Sequence, residues 1–463
     1  MPNENSLGRR TTISKVPGRR PLRWGHDEAM SRSYRPEAEV TEICRDLIRI
    51  DTSNYGDDSG PGERVAAEYV AGLLSEVGIE PQLFEPTKGR TSVVAHWGDP
   101  GDGDRLLIHG HLDVVPAAKH DWKVDPFAAE VLDGYVWGRG AVDMKDFDAA
   151  ILSVVRARAR AAEPPKRAVT LAFTADEEAG SIQGAHPLTD RRPEWFEGCT
   201  EAIGEVGGFS TTINGRRLYL VETAEKGIAW LRLRAQGTAG HGSMRNADNA
   251  VTAVAEAVAA IGRHEWPIRV TPSMGALLEE VATLTGTANV EDNVDALIEH
   301  FGPAARMLAA VVRNTANPTM MDSGYKHNVI PGEATASVDG RFLPGYEDEF
   351  FATLRSLLPD NVSYEVLVRD RALETPFDGA LVEAMKASLL AEDPDATVLP
   401  FLMSGGTDAK AWSKLGIRCF GFSPLRLPPD LDFTGLFHGV DERVPVDALE
   451  FSARVLDDFL DRA

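Results

Sequence analysis

Three apolar residues, Leu106, Leu107 and Ile108, run directly into His109-Gly110-His111-Leu112-Asp113. An apolar run that ends in polar groups suits a buried strand of an α/β sheet, with functional side chains at its mouth. Residues i and i+2 of a strand share a face. His111 and Asp113 therefore project together from the strand end. That pairing suits a metal-binding imidazole and a carboxylate that orients it.

At 463 residues the chain is too long for one ordinary domain, and two are expected. Apolar spacing predicts helices over 36–50, 62–77 and 147–161. Strands are predicted over 91–96, 105–108, 168–175 and 202–205. Buried strands with helices between them make an α/β sandwich around a mixed sheet. The character changes near Glu222. A strand over 227–235, a helix over 249–262, strands over 319–325 and 334–342, a helix over 346–358 and a strand over 362–368 follow. That order, β-α-β-β-α-β, is a split βαβ unit of a small α+β domain. Between its parts lies a variable region, 263–316, expected to be partly helical. A helix over 379–390 returns the chain to the first domain. The expected organisation is a larger domain over 36–222 and 373–463, with a smaller one over 223–372 inserted into it.

Composition narrows the partners. The formal net charge of -23 repels nucleic acid and anionic membranes, so neither is expected as a partner. No apolar stretch approaches the ~20 residues that cross a bilayer. The three cysteines, Cys44, Cys199 and Cys419, lie far apart and form no CxxC pattern. A reducing, cytoplasmic setting is expected. Residues 1–35 are basic and interrupted by Pro and Gly, and read as a disordered tail or as sequence upstream of a start at Met30. Arg9-Arg10 lacks the apolar run that an export signal needs.

Five sites stand at or near predicted strand ends, where α/β proteins place ligands. They are His111 with Asp113; Asp143 in Gly138-Arg139-Gly140-Ala141-Val142-Asp143; Glu177-Glu178; Glu205 before Val206-Gly207-Gly208; and His438 in Phe437-His438-Gly439. Singly, each has an ordinary reading: a strand-end imidazole, a helix cap, a solvated acid pair. Together, two His, one bridging Asp and two Glu suit two Zn²⁺ or Co²⁺ ions with mixed N and O donors. Two such ions can activate a shared water and polarise a carbonyl. One acid must stay free as general base, and spacing alone allows either Glu177 or Glu178.

Gly110-His111-Leu112-Asp113-Val114-Val115-Pro116, Gly138-Arg139-Gly140-Ala141-Val142-Asp143-Met144-Lys145 and Thr174-Ala175-Asp176-Glu177-Glu178 resemble, in order, the signatures of the M20 metallopeptidases. That group contains aminoacylase, acetylornithine deacetylase, succinyl-diaminopimelate desuccinylase, glutamate carboxypeptidase and related dipeptidases. The resemblance spans about 36–463. It implies a catalytic domain and a smaller lid domain that makes a homodimer contact. By position, it implies that His111 and Glu205 hold one zinc, Glu178 and His438 the other, and Asp143 bridges them. Co²⁺ or another divalent metal could serve as well. Asp113 becomes the partner of His111, and Glu177 the general base. His109 has no place in this set and reads as structural.

The resemblance extends to the inserted segment. His241, in Gly240-His241-Gly242-Ser243, matches the lid histidine that steadies the oxyanion in the neighbouring subunit. Asn328 and Arg341 match positions that bind a substrate carboxylate, for which the planar Arg fork is suited. Ser404-Gly405-Gly406-Thr407-Asp408 matches a glycine-rich turn that contacts substrate. The implied activity is hydrolysis of the amide bond of a small carboxylate-bearing substrate, an N-acyl amino acid or a dipeptide. Dipeptidase or carboxypeptidase action in place of deacylation stays open. A non-catalytic binder on this fold would be expected to lose ligands or base, and none is lost. A related metalloaminopeptidase fold would lack the segment from Gly227 to Val368.

Overall fold

The computed structural model describes residues 34–463 apart from 58, 100 and 102. The basic segment read as a disordered tail lies, up to residue 33, outside the described residues. From Arg35 onward the chain forms one compact unit.

The predicted strand is observed as Arg105–His111, buried from Leu106 to its end. It lies between the parallel strands Ala168–Thr174 and Cys199–Gly204. These belong to a ten-stranded mixed sheet among the described residues. From one edge its order is Pro81–Thr87, Arg90–Trp97, Ala168–Thr174, Arg105–His111, Cys199–Gly204, Arg418–Gly421, Arg216–Glu225 and Leu373–Glu374. Phe209–Ile213 and Thr397–Met403 also pair with Arg216–Glu225. Side chains alternate between faces, as the two-residue strand period requires. Leu106 and Ile108 enter the core shared with helices Val40–Arg49, Lys145–Ala161 and Val446–Arg462. Leu107 enters the opposite core with Phe196 and Trp412. The α/β reading of the fold therefore holds.

His109 shares the face of Leu107. Its ring centroid lies 5.8 Å from that of Trp412. A Cβ on Gly204 would meet the His109 ring at 2.3 Å, so this approach requires glycine. Burial pushes the His109 pKa down to about 3, which fits a neutral packing residue.

The four strands Thr315–Ser323, Glu333–Phe342, Gly227–Gln236 and Val362–Asp370 form a separate antiparallel sheet, in that order. Helices Ala250–Arg263 and Glu347–Leu357 contribute to its own core with Leu231, Leu233, Val254, Ile261, Phe350 and Leu354. Asn249 caps the first helix by accepting from the N–H groups of Val251 and Thr252. The strand expected over 319–325 begins earlier, at Thr315. It contains Pro318, and its register shifts between Pro318 and Met320. Pro cannot donate to a ladder and is tolerated on an edge strand, which this is.

The segment 263–316 is helical in part, as expected. Its helices Pro272–Thr285, Val294–Glu299 and Ala305–Ala310 do not join the core of the four-stranded sheet. Met274, Leu277, Val281, Leu297 and Leu308 belong to the core of the large sheet. Apolar spacing along one helix shows which face is buried, but not which neighbour buries it.

Candidate metal centre

Three adjacent parallel strands end on one side of the large sheet and deliver acid or imidazole groups there. His111 ends its own strand, Glu177 and Glu178 follow Ala168–Thr174, and Glu205 follows Cys199–Gly204. Asp143 comes from the loop before helix Lys145–Ala161, with a cis peptide bond to Met144. His438 comes from the loop before helix Val446–Arg462. Asp176, Val206 and His438 all have positive φ, of 66°, 54° and 57°. Such backbone in non-glycine residues costs about 1–3 kcal/mol each and clusters at functional sites.

His111 Nε2 lies 3.1 Å from Asp143 Oδ1 and 3.3 Å from Glu205 Oε2. His438 Nε2 lies 3.1 Å from Asp143 Oδ2 and 3.0 Å from Glu178 Oε2. The two oxygens of Asp143 thus face two different imidazole–carboxylate pairs. His111, Asp143 and Glu205 form one donor triad, and Asp143, Glu178 and His438 the other. Glu178 Oε1 is buried with no hydrogen-bond partner, which is costly unless a cation or water meets it. The donor set, one imidazole and carboxylate oxygens on each side of a shared Asp, fits two divalent ions.

Electrostatics agree. Burial works against charge on His111, but Glu205, Asp113 and Asp143 hold its pKa well above the ordinary value. Hydrogen bonds to Asp143 and Glu178 raise His438 to about 10. Burial, and after it Glu205, pushes the Glu177 carboxyl well above its usual range. Burial also pushes Glu205 up to about 7. The site favours positive charge on both imidazoles, and a divalent ion would replace those protons. Adding Zn²⁺ to metal-free protein at pH 7 is therefore expected to release protons. Calorimetry should show a binding heat that changes with the ionisation enthalpy of the buffer; a buffer-independent heat would contradict this. The same shift has a sign for the metal-free fold. His438 is raised above its unfolded value, so its contribution to stability is complete below about pH 6.5 and is lost as pH rises through about 10.

Asp113 acts through two groups. Its main-chain carbonyl accepts from His111 Nδ1 at 2.9 Å, while its carboxylate Oδ1 lies at 3.6 Å. The carboxylate accepts instead from the main-chain N–H of Glu177 at 3.0 Å and of Glu178 at 3.1 Å. Glu177 Oε2 stands 4.0 Å from His111 Nε2 and belongs to neither triad.

A sequence model of peptidase family M20/M25/M40 matches residues 107–462. The chain belongs to this family. N-fatty-acyl-amino acid synthase/hydrolase PM20D1 of Xenopus tropicalis is 26% identical, over 92% of this chain and 87% of the relative. Aminoacylase-1 of Homo sapiens is 26% identical, over 88% and 92%. The M20 family metallo-carboxypeptidase Sso-CP2 of Sulfolobus solfataricus has a TM-score of 0.68 at 19% identity, covering 91% of this chain and 98% of that one. At that identity the likeness speaks for the fold. The protein is an M20 hydrolase acting on amide or peptide bonds.

The structure of this M20 enzyme brings His111, Asp113, Asp143, Glu177, Glu178, Glu205 and His438 together. His241, Asn328 and Arg341 stand apart and make no hydrogen bond or ion pair with these seven. His241 is exposed, with Nδ1 2.8 Å from Ser243 Oγ. Asn328 lies beside it, its carbonyl accepting from Gly242 N at 2.9 Å. Arg341 is forked onto Asp339, with Nε to Oδ1 at 2.7 Å and Nη2 to Oδ2 at 3.1 Å. The glycine-rich turn is tied to the centre: Asp408 accepts from Thr174 Oγ1 at 2.5 Å and from Ser181 Oγ.

Sequence reading missed a buried pair that supports two ligands. Arg139 Nη1 lies 2.6 Å from Glu442 Oε2, and both side chains are buried. Glu442 Oε1 accepts from Val142 N at 2.7 Å, next to Asp143. Arg139 Nη2 donates to the His438 carbonyl at 3.4 Å. The signal was present in both motifs, as the Arg between two glycines and the Glu four residues after His438. Arg139→Met strands the Glu442 charge in the interior. It is expected to cost about 3–5 kcal/mol, read by urea unfolding of the metal-free protein.

Proposed function

We propose that the protein cleaves the amide bond of a small substrate bearing a free carboxylate, an N-acyl amino acid or a dipeptide. The observation that carries this reading is the shared Asp143 between two donor triads, with the partly buried Glu177 beside them and in neither. His111, Glu205, Glu178, His438 and the bridging Asp143 would hold two zinc ions, with Co²⁺ or another divalent metal able to substitute. Such a pair supplies Lewis acidity to a carbonyl and lowers the pKa of a water.

Glu177 accepts the proton of the attacking water and passes it to the amine nitrogen as the C–N bond breaks. Its raised pKa suits both halves of that transfer. Asp113 keeps Glu177 in place through its main-chain N–H and orients His111 through its own carbonyl. His241 of a second copy donates to the developing oxyanion, which is consistent with its exposure in one chain. Arg341 and Asn328 bind the substrate carboxylate; Asp339 occupies one edge of the Arg341 fork and leaves Nη1 for the ligand. In this reading 36–222 and 373–463 form the catalytic domain. The segment 223–372 carries the lid and the homodimer contact, and closure excludes water. The free, buried Cys44, Cys199 and Cys419 fit a cytoplasmic setting; among the described residues no helix is long and apolar enough to cross a membrane.

A hydrolysis screen of N-acyl amino acids and dipeptides with added Zn²⁺ or Co²⁺ tests the proposal and separates deacylase from dipeptidase and carboxypeptidase. Substrates with a free carboxylate should be cleaved, and their amidated counterparts should not. Equal rates on both would overturn the carboxylate reading, and no cleavage of any would overturn the substrate class.

A further inference from the structure

Asn54 is buried just beyond helix Val40–Arg49, where Thr52-Ser53-Asn54 runs beside Leu112-Asp113-Val114. Its N–H donates to the Val114 carbonyl at 2.8 Å, and Val114 N donates back to Thr52 O at 3.2 Å. The side-chain amide is fully used. Nδ2 donates to Asp113 Oδ2 at 2.9 Å and to Asp176 Oδ1 at 3.0 Å. Oδ1 accepts from Arg90 Nη2 at 2.9 Å and from Gly56 N at 3.0 Å. Arg90 is itself held by Glu63, at 2.6 Å, with both side chains buried. An amide with two donors and two acceptor lone pairs can do no more. Flipping it would turn its oxygen toward two carboxylates and its NH₂ toward a guanidinium.

The two carboxylates it joins flank the acid pair. Asp176 immediately precedes Glu177, and Asp113 holds the N–H groups of both Glu177 and Glu178. We infer that Asn54 is a positioning residue: it locks Asp113 to Asp176 and so fixes the Glu177–Glu178 turn, and with it the cation triad that contains Glu178. The other triad, His111, Asp143 and Glu205, draws none of its ligands from that turn, and its His111 is held by the Asp113 main-chain carbonyl rather than by the carboxylate that the Asn54 amide grips. The inference rests on the metal-centre reading. Outer partners of metal ligands typically govern about 10–100-fold in metal affinity, and the loss here is directed to one site.

The test is calorimetric and spectroscopic titration of the metal-free full chain with Co²⁺, for wild type, Asn54→Asp and Asn54→Ser. Asp is isosteric but puts a third acid between two; Ser adds no charge but replaces the two-donor amide with one shorter O–H donor that cannot bridge both carboxylates, and carries the test if the Asp variant does not fold. Wild type should bind two ions. The Ser variant should keep one ion near wild-type affinity and bind the other about 10–100-fold more weakly, with the visible Co²⁺ absorption of the second equivalent altered. Its kcat on Co²⁺-loaded enzyme should fall more than its KM changes. Two ions at wild-type affinity, or equal weakening of both, would overturn the inference. If wild type binds no Co²⁺, the metal-centre reading fails, and the inference with it.

Discussion

Glu177→Gln should lower kcat by about 10²–10⁴-fold, the usual contribution of a positioned general base, while both cation sites still fill. The substitution keeps shape and removes only the capacity to accept a proton. Glu177 is in neither donor triad. Its tie to Asp113 runs through the main chain and survives the change. Burial and Glu205 raise its pKa, so the variant also removes one competing acid from the cluster. The expected pattern is therefore wild-type Co²⁺ stoichiometry with turnover nearly abolished. Unchanged turnover would remove Glu177 from the chemistry. Loss of an ion would make it a ligand instead.

Asp143→Asn should have the larger effect on metal. One carboxylate oxygen lies 3.1 Å from each imidazole. Asn can present an oxygen to one triad only, and turns an NH₂ toward the other. At least one ion should be lost, and affinity at the other should fall by more than the roughly 10–100-fold that outer partners cost. Hydrolysis should fall with it. Calorimetry and metal analysis of the dialysed variant would show it; two ions retained at wild-type affinity would mean that Asp143 does not bridge.

The donor cluster is legible in the sequence because its chemistry is local. His111 sits at the end of an apolar strand, and Asp143 and Glu177-Glu178 sit in short motifs. The supporting shell was not readable, because its partners are distant in sequence: Asn54 meets Asp113 and Asp176, and Arg139 meets Glu442. Strand Arg216–Glu225 was missed for a related reason. Its buried acids Glu222 and Glu225 break an otherwise apolar run, so the stretch looks like a domain boundary. In the fold, Glu225 accepts from Thr407 N at 3.1 Å and from Thr407 Oγ1 at 2.5 Å, and lies 3.2 Å from Lys410 Nζ. Lys410 also donates to the Lys226 carbonyl at 2.7 Å and the Arg371 carbonyl at 3.2 Å. One buried ammonium thus pins both crossings between the two sheets. Periodicity has no term for such a contact. His241, Asn328 and Arg341 are a third case: the roles proposed for them arise only against substrate or a second copy.

A cation pair bridged by Asp143 is proposed to drive amide hydrolysis. The most direct measurement strips the protein with a chelator, returns Zn²⁺ stepwise, and follows cleavage of an N-acyl amino acid or dipeptide selected from the screen. Hydrolysis should be absent without metal and should reach its plateau near two equivalents per chain, one for each donor triad. Full activity in the metal-free protein would rule out a two-cation mechanism.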